Sequence, residues 1–202
     1  MLHITTKHTG KMEGMQSIST SVTVNPYCLA RIKNKDSVCS HCYANTMMKR
    51  FDAKFEQCFV DNADQLTSRI IPDDELPIIN AAYFRFESFG DIINWVHVAN
   101  YFNICRKNPN TRFALWTKNP WLLIEARDNG YDKPDNLKIV QSSVQMNKID
   151  KPANDMIDLM FTVYTKKYVE AHTVPINCGK RKCIECLNCY KDGGVNVNEL
   201  QK

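Results

Sequence analysis

Arg112-Phe-Ala-Leu-Trp-Thr117, Asn119-Pro120, a helix-like stretch that stops at Asn129-Gly130, and then Leu137-Lys-Ile-Val-Gln-Ser142 make up one strand, one helix and a second strand. The two flanking hexamers are short and at least half apolar, with their apolar residues bunched together, the mark of strands covered on both faces. Asn-Gly directly after the last periodic position is a helix stop. A strand–helix–strand unit of this length joins two parallel strands by a right-handed crossover.

The same alternation continues outward in both directions. Upstream, Ala82-Tyr-Phe-Arg-Phe-Glu87 reads as a strand, and Gly90-Asp91 opens a helix running from Ile92 to about Arg106, with Asp91 as its N-cap. Before it come a β-branched strand over residues 17–24, closed by Asn25-Pro26, and helices over residues 43–59 and 62–70. Downstream, residues 156–163 read as a fifth strand, residues 173–176 are strand-like, and residues 192–202 look like a polar tail. The pattern predicts an α/β fold of mainly parallel strands over residues 1–175, with a cysteine-rich C-terminal segment over 176–202. In such folds ligands gather at the carboxyl ends of the strands.

At 202 residues, 44% apolar and 24% charged, the chain has the composition of one globular domain. A net charge of +4 permits nucleic-acid contact without arguing for it. The N-terminal residues lack the apolar stretch of a secretory signal, and no run of about 18 apolar residues suits a membrane span. The expected setting is a reducing cytoplasm, where clustered cysteines serve metals or catalysis rather than disulfides.

Seven of the nine cysteines fall into two clusters. Cys28, Cys39 and Cys42 follow the first strand. Three thiolates on one loop suit an iron–sulfur cubane whose fourth iron stays open to an amino acid or a substrate oxygen. A zinc site completed by His41 or another residue is the alternative. Cys42, near a helix N-terminus, is favoured as thiolate. His41, beside a ligand on a tight turn, is expected to point away. The second set is Cys178-x4-Cys183-x2-Cys186-x2-Cys189, whose spacing matches ferredoxin-type loops and suits a fully ligated [4Fe-4S] cluster, with zinc again the alternative. Lys180, Arg181 and Lys182 interrupt this array; they offset an anionic cluster, bind a phosphate, or form a solvated basic loop. Cys58 and Cys105 read as small buried apolar residues.

Arg85, Glu87, Ser88 and Asp91 sit at a predicted strand end. Glu87 or Asp91 can hold an amino group and Arg85 a carboxylate or phosphate; a helix cap is the plainer role for Asp91. Thr117, with Lys118, and Ser142, with Gln141 and Ser143, occupy the matching ends of the next two strands. Trp95, Trp116 and Trp121 read as core or rim aromatics, and His97 as a buried, hydrogen-bonded histidine. No Ser-His-Asp order, Walker loop or His-Glu-x-x-His is present to support a hydrolase or nucleotide triphosphatase.

Asn25-Pro26-Tyr27-Cys28 with Cys39-Ser-His-Cys42-Tyr43-Ala44, Arg85-Phe-Glu-Ser-Phe-Gly90-Asp91, Arg112-Phe113 with Trp116-Thr117-Lys118, and the array closing in Cys189-Tyr190 together resemble the phage gene product 88 family and related radical-SAM-like phage proteins. The resemblance implies a reduced, partial (β/α) barrel of radical-SAM type. It also implies that Cys28, Cys39 and Cys42 hold a [4Fe-4S] cluster whose fourth iron S-adenosylmethionine chelates, and that the C-terminal cysteines hold an auxiliary cluster. A phage-encoded chain would act in the host cytoplasm. The superfamily's cysteines are usually spaced by three residues and then two; here ten separate Cys28 from Cys39 and two separate Cys39 from Cys42. Glu87-Ser88-Phe89-Gly90-Asp91 stands where that superfamily has Gly-Gly-Glu.

Two functions follow as expectations. One is an iron–sulfur protein, enzymatic if S-adenosylmethionine is reduced by one electron to start hydrogen abstraction from a substrate of unknown identity. The other is a metal-stabilised module, zinc or iron–sulfur, that presents Lys180, Arg181 and Lys182 to nucleic acid or a host protein. A redox or iron sensor is a third.

Overall fold

The computed structural model describes residues 1–50 and 53–201. Its centre is a six-stranded, all-parallel sheet of β1 (Gln16–Ile18), β2 (Tyr83–Phe86), β3 (Arg112–Thr117), β4 (Leu137–Ser142), β5 (Leu159–Tyr164) and β6 (Val197–Leu200), lying side by side in chain order. Seven helices accompany it among the described residues: α1 (Pro26–Lys33), α2 (Tyr43–Met48), α3 (Ala53–Ser68), α4 (Trp95–Lys107), α5 (Trp121–Asp128), α6 (Lys166–His172) and α7 (Cys183–Cys186). Chain order means that every crossover steps the same way, so right-handed connections put α3, α4 and α5 on one face.

That helical face holds the main core. Phe84, Phe86, Phe113, Leu115, Leu137 and Ile139 point into it, every second residue of three neighbouring strands, and meet Leu66 of α3, Val98, Tyr101, Phe102 and Ile104 of α4 and Leu123 of α5. Phe86 stacks on both Tyr101 and Phe113, with ring centroids 4.0 and 5.1 Å apart. The alternate residues Tyr83, Arg85, Ala114, Trp116 and Val140 face the other way. The two chain ends cover that inner face: Met12 and Met15 from the N-terminal arm, and Cys183, Leu187, Cys189 and Tyr190 from the C-terminal segment.

The expected α/β architecture with parallel strands is present, and β3, β4 and α5 fall where the sequence puts them. Five boundaries differ, the simplest being the fifth strand, expected over 156–163 and found at Leu159–Tyr164. The first strand stops at Ile18, because Ser19 and Thr20 leave the sheet to bond the loop after β2: Ser19 Oγ accepts from Ser88 and Phe89 N–H, and Thr20 N–H donates to Glu87. The helix expected over 43–59 is α2 and then the start of α3, which also takes in 62–68; the junction at 51–52 lies outside the described residues. Helix α4 starts at Trp95, capped by Asn94, whose Oδ1 accepts from His97 N–H at 2.9 Å; Asp91 is not its cap. Residues 173–176 form no strand, whereas the expected tail supplies β6, paired with β5. Val197 and the polar Asn198-Glu199 that follow it are too short a run to show strand periodicity.

Candidate functional site

The loop after β1 reaches the strand ends through hydrogen bonds. Asn25 caps α1, its Oδ1 accepting from Tyr27 and Cys28 N–H at 3.0 and 3.3 Å, while its amide donates to the Asp91 carbonyl at 2.8 Å. Tyr27 Oη donates to the Lys118 carbonyl just past β3. Ser37 Oγ accepts from Cys39 N–H at 3.1 Å, and Cys42 N–H closes back onto the Cys39 carbonyl at 3.0 Å. Cys42 is then the N-cap residue of α2. Cys28 and Cys42 rest against Val22, Ala44, Met48 and Phe59.

The half-buried Lys118 ammonium stands among these three thiols. Burial works against its charge, but Cys39, Asp91, Cys42 and Cys28 outweigh that and hold its pKa up. The Cys28 thiol is pushed strongly upward, by burial first and then by Asp91 and Cys39. No acceptor for the Lys118 ammonium is present among the described residues. His41 is exposed, as expected of a residue turned away from its neighbours.

The strand-end residues hold the frame of this loop. Asp91 accepts from Thr117 Oγ1 at 2.6 Å and Ile92 N–H at 2.8 Å on one oxygen, and from Lys118 N–H at 2.8 Å on the other. Burial raises its pKa to about 6, against the pull of Lys118 and the Thr117 bond. It therefore clamps the end of β3 to the loop after β2. Glu87, at a left-handed φ of +54°, gives its carboxylate to Tyr101 Oη at 2.7 Å and to Thr20 N–H and Oγ1, both at 3.2 Å. His97 Nε2 lies 3.4 Å from the same carboxylate, close but out of hydrogen-bond alignment. Ser88 Oγ lies 3.1 Å from Ser17 Oγ and 2.8 Å from Ser19 Oγ, and its carbonyl accepts from Tyr43 Oη. Thr117 belongs to the Asp91 clamp, while Ser142, buried at the end of β4 opposite Phe161, shares no hydrogen bond with this group among the described residues.

Arg85 goes elsewhere. It leaves the inner face of β2 toward the C-terminal segment, its guanidinium 4.1 Å above the Trp116 ring. There one cavity is lined by Cys178, Cys183, Cys186 and Cys189 together with Lys11 and Arg85. Cys178 bridges to Glu199 of β6; Lys11 Nζ bonds both Glu199 oxygens, at 2.9 and 3.0 Å, and lies 3.7 Å from Cys178 Sγ. The Cys189 thiol is pushed up to about 12 by burial, with Arg85 opposing and the three other thiols adding to the rise. All nine cysteines are free thiols. Among the described residues, no group of three or more His, Cys, Asp or Glu side chains is arranged to hold a metal ion directly. The C-terminal thiols are gathered around a cavity without being closed on a point.

Three buried polar atoms in this wall lack a hydrogen-bond partner: Arg85 Nε, Trp116 Nε1 and Tyr190 Oη. Each such group costs about 1–3 kcal/mol when left unsatisfied. The basic run beside the array is partly engaged: Lys182 pairs with Glu13 at 2.9 Å, and Arg181 reaches Cys186 Sγ at 3.7 Å. Cys105 is buried in α4; Cys58, on α3, is half-buried and donates to the Lys54 carbonyl.

Residues 19–200 match the gene product 88 family. The chain belongs to that family. The gene product 88 match spans both cysteine sets, the Glu87–Asp91 loop and the Arg85–Trp116 pair. No curated protein and no solved structure matches the chain. No helix among the described residues is long and apolar enough to cross a membrane. Sequence reasoning missed Lys11, which reaches Cys178 and Glu199 from the opposite end of the chain with no local pattern to announce it. Trp116 reads from the sequence as a core or rim aromatic and Lys118 as a strand-end residue, and neither reading announces its place beside a cysteine set.

Proposed function

We propose that the chain is an iron–sulfur protein built on a reduced, partial (β/α) barrel. Cys178, Cys183, Cys186 and Cys189 hold a fully ligated [4Fe-4S] cluster, and Cys28, Cys39 and Cys42 hold a second one with an iron open to an outside ligand. The observation that carries this reading is the cavity beneath Arg85, lined by four free thiols and by three cations, Lys11, Arg85 and Arg181. A single zinc ion would draw its thiolates to about 2.3 Å from one point. An iron–sulfur core spaces them more widely, presents acceptor sulfurs to the surrounding donors, and carries negative charge that Arg85 and Lys11 offset. When bound, such a centre supplies one-electron chemistry.

At the first set, the chain's own residues orient the thiols: Asn25 and Ser37 by capping, Asp91 and Tyr27 by fixing the backbone at Lys118. Lys118 supplies the local positive charge that favours thiolates. The carboxylates of Glu87 and Asp91 already accept from the protein's own groups, so S-adenosylmethionine enters the reading through the open iron alone.

The test is anaerobic purification followed by iron, acid-labile sulfide and zinc analysis. About eight irons and eight sulfides per chain are expected for two cubanes. Stoichiometric zinc without sulfide, or metal-free protein after reconstitution, overturns the reading. Electron paramagnetic resonance of the reduced protein with and without S-adenosylmethionine then separates an open iron that takes this ligand, which changes the spectrum, from one that does not.

A further inference from the structure

Arg85 Nε, Trp116 Nε1 and Tyr190 Oη are three buried donors without an acceptor, and all three side chains line the cavity of the four C-terminal cysteines. They come from three separate elements: Arg85 from β2, Trp116 from β3, Tyr190 from the cysteine segment itself. Each is held by packing. Trp116 meets Phe161 with ring centroids 4.6 Å apart, Tyr190 meets Tyr83 at 5.6 Å, and the Arg85 guanidinium lies on Trp116. Lys11, 3.7 Å from Cys178 Sγ, adds a second cation to the same wall. A metal that only pins a loop needs its ligands and nothing more; unpartnered donors and charge held in the same wall as the ligands do further work.

We propose that the C-terminal site is an electron-accepting centre whose reduced state is favoured by Arg85, Trp116 and Tyr190. This rests on the cluster reading above and assigns that site a redox role. One added electron makes the thiolate-bound assembly more negative by one charge. N–H and O–H donors to its sulfurs, and a neighbouring guanidinium, stabilise the more negative state and raise the reduction potential. The electron comes from an external one-electron donor of the reduced flavin or ferredoxin class. That donor leaves oxidised by one electron, and no covalent bond forms or breaks.

The experiment is a redox titration followed by electron paramagnetic resonance on the full chain, carried out in a Cys39→Ser background so that the C-terminal signal stands alone, with iron and sulfide counted in every sample. Trp116→Phe and Tyr190→Phe each remove one donor and keep a ring in place; Arg85→Met removes donor and charge together. Each is expected to keep the cluster and to titrate at a more negative potential, Arg85→Met furthest. Full iron content with an unshifted midpoint in all three variants overturns the redox role and leaves the cluster reading standing. Wild-type protein that takes up no iron and sulfide overturns both.

Discussion

Gly90→Ala tests whether the clamp between β1 and β2 is as tight as its geometry requires. Gly90 has φ of +78°, and a Cβ there would lie 2.4 Å from the Thr20 carbonyl oxygen, 2.8 Å from Thr20 Oγ1 and 2.9 Å from Glu87 Oε2. The left-handed conformation alone costs alanine about 1–2 kcal/mol. The carbonyl contact must then open by about 1 Å to reach an ordinary carbon–oxygen separation of about 3.3–3.6 Å. That movement pulls Thr20 away from Glu87, whose carboxylate accepts from Thr20 N–H and Oγ1 at 3.2 Å. Bonds to a charged acceptor contribute about 1.5–3 kcal/mol, so a total loss of about 3–5 kcal/mol is expected, a large part of a typical domain's 5–15 kcal/mol. Gly130→Ala is the control: φ is +87° there too, but nothing lies within 4 Å of the added Cβ, so only the conformational part applies. Urea unfolding followed by circular dichroism, with equal m-values, compares the two. A Gly90→Ala loss within about 1 kcal/mol of the Gly130→Ala loss would refute the argument.

Other consequences follow from the same contacts. Asp91 is pushed from 3.8 to about 6 by burial, so the folded state holds its proton more tightly than the unfolded chain does; its contribution to stability falls as pH rises from about 4 to about 6 and is flat above. The difference in unfolding free energy between wild type and Asp91→Asn should carry that downward slope, and a pH-independent difference rejects the assignment. Cys183→Ser with Cys186→Ser should lower iron from about eight to about four per chain while leaving the N-terminal cluster; unchanged iron counts against the assignment. Hydrogen exchange should be markedly faster over residues 176–200 in iron-free than in iron-loaded protein, with β2 to β4 little changed; equal exchange shows that the segment is held without metal.

The sheet was legible where both faces of a strand are covered, as in Phe113 to Trp116 and, with Lys138 as the one interruption, Leu137 to Val140, since largely apolar runs bounded by turn residues admit few other readings. It was illegible where hydrogen bonds, not hydrophobicity, decide. Ser19 and Thr20 carry strand propensity and leave the sheet because Glu87 and Ser88 offer them partners that only the fold supplies. Asp91 looked like a helix cap because Asp suits that role locally; its actual acceptor work is for Thr117 and Lys118, more than twenty residues on. Cysteine spacing marked both candidate sites. It did not mark Lys11, Lys118 or Trp116, whose places depend on which strands are neighbours.

The inner face of the sheet explains why a cysteine array closes this chain. Strands in chain order leave the crossover helices α3, α4 and α5 on one side, and the other side must be covered for the sheet to be stable. A closed barrel fills that space with its own strand side chains. Here β1 and β6 are edges, and the space above Arg85, Ala114, Trp116 and Val140 is filled from the chain ends. From Thr173 to Asn196, Tyr190 is the one buried residue, so apolar burial gives this segment little reason to stay in place. Its other ties are short or partly solvated, among them the Cys178–Glu199 bridge, Lys182 to Glu13, Lys138 to Asp192 and Met160 N–H to Asn196. Four cysteines in that same stretch are the one feature able to cross-link it with the strength burial does not supply. On the iron–sulfur reading proposed above, metal loading and completion of the sheet edge are coupled, since β6 follows the array and carries Glu199, which pairs with Lys11.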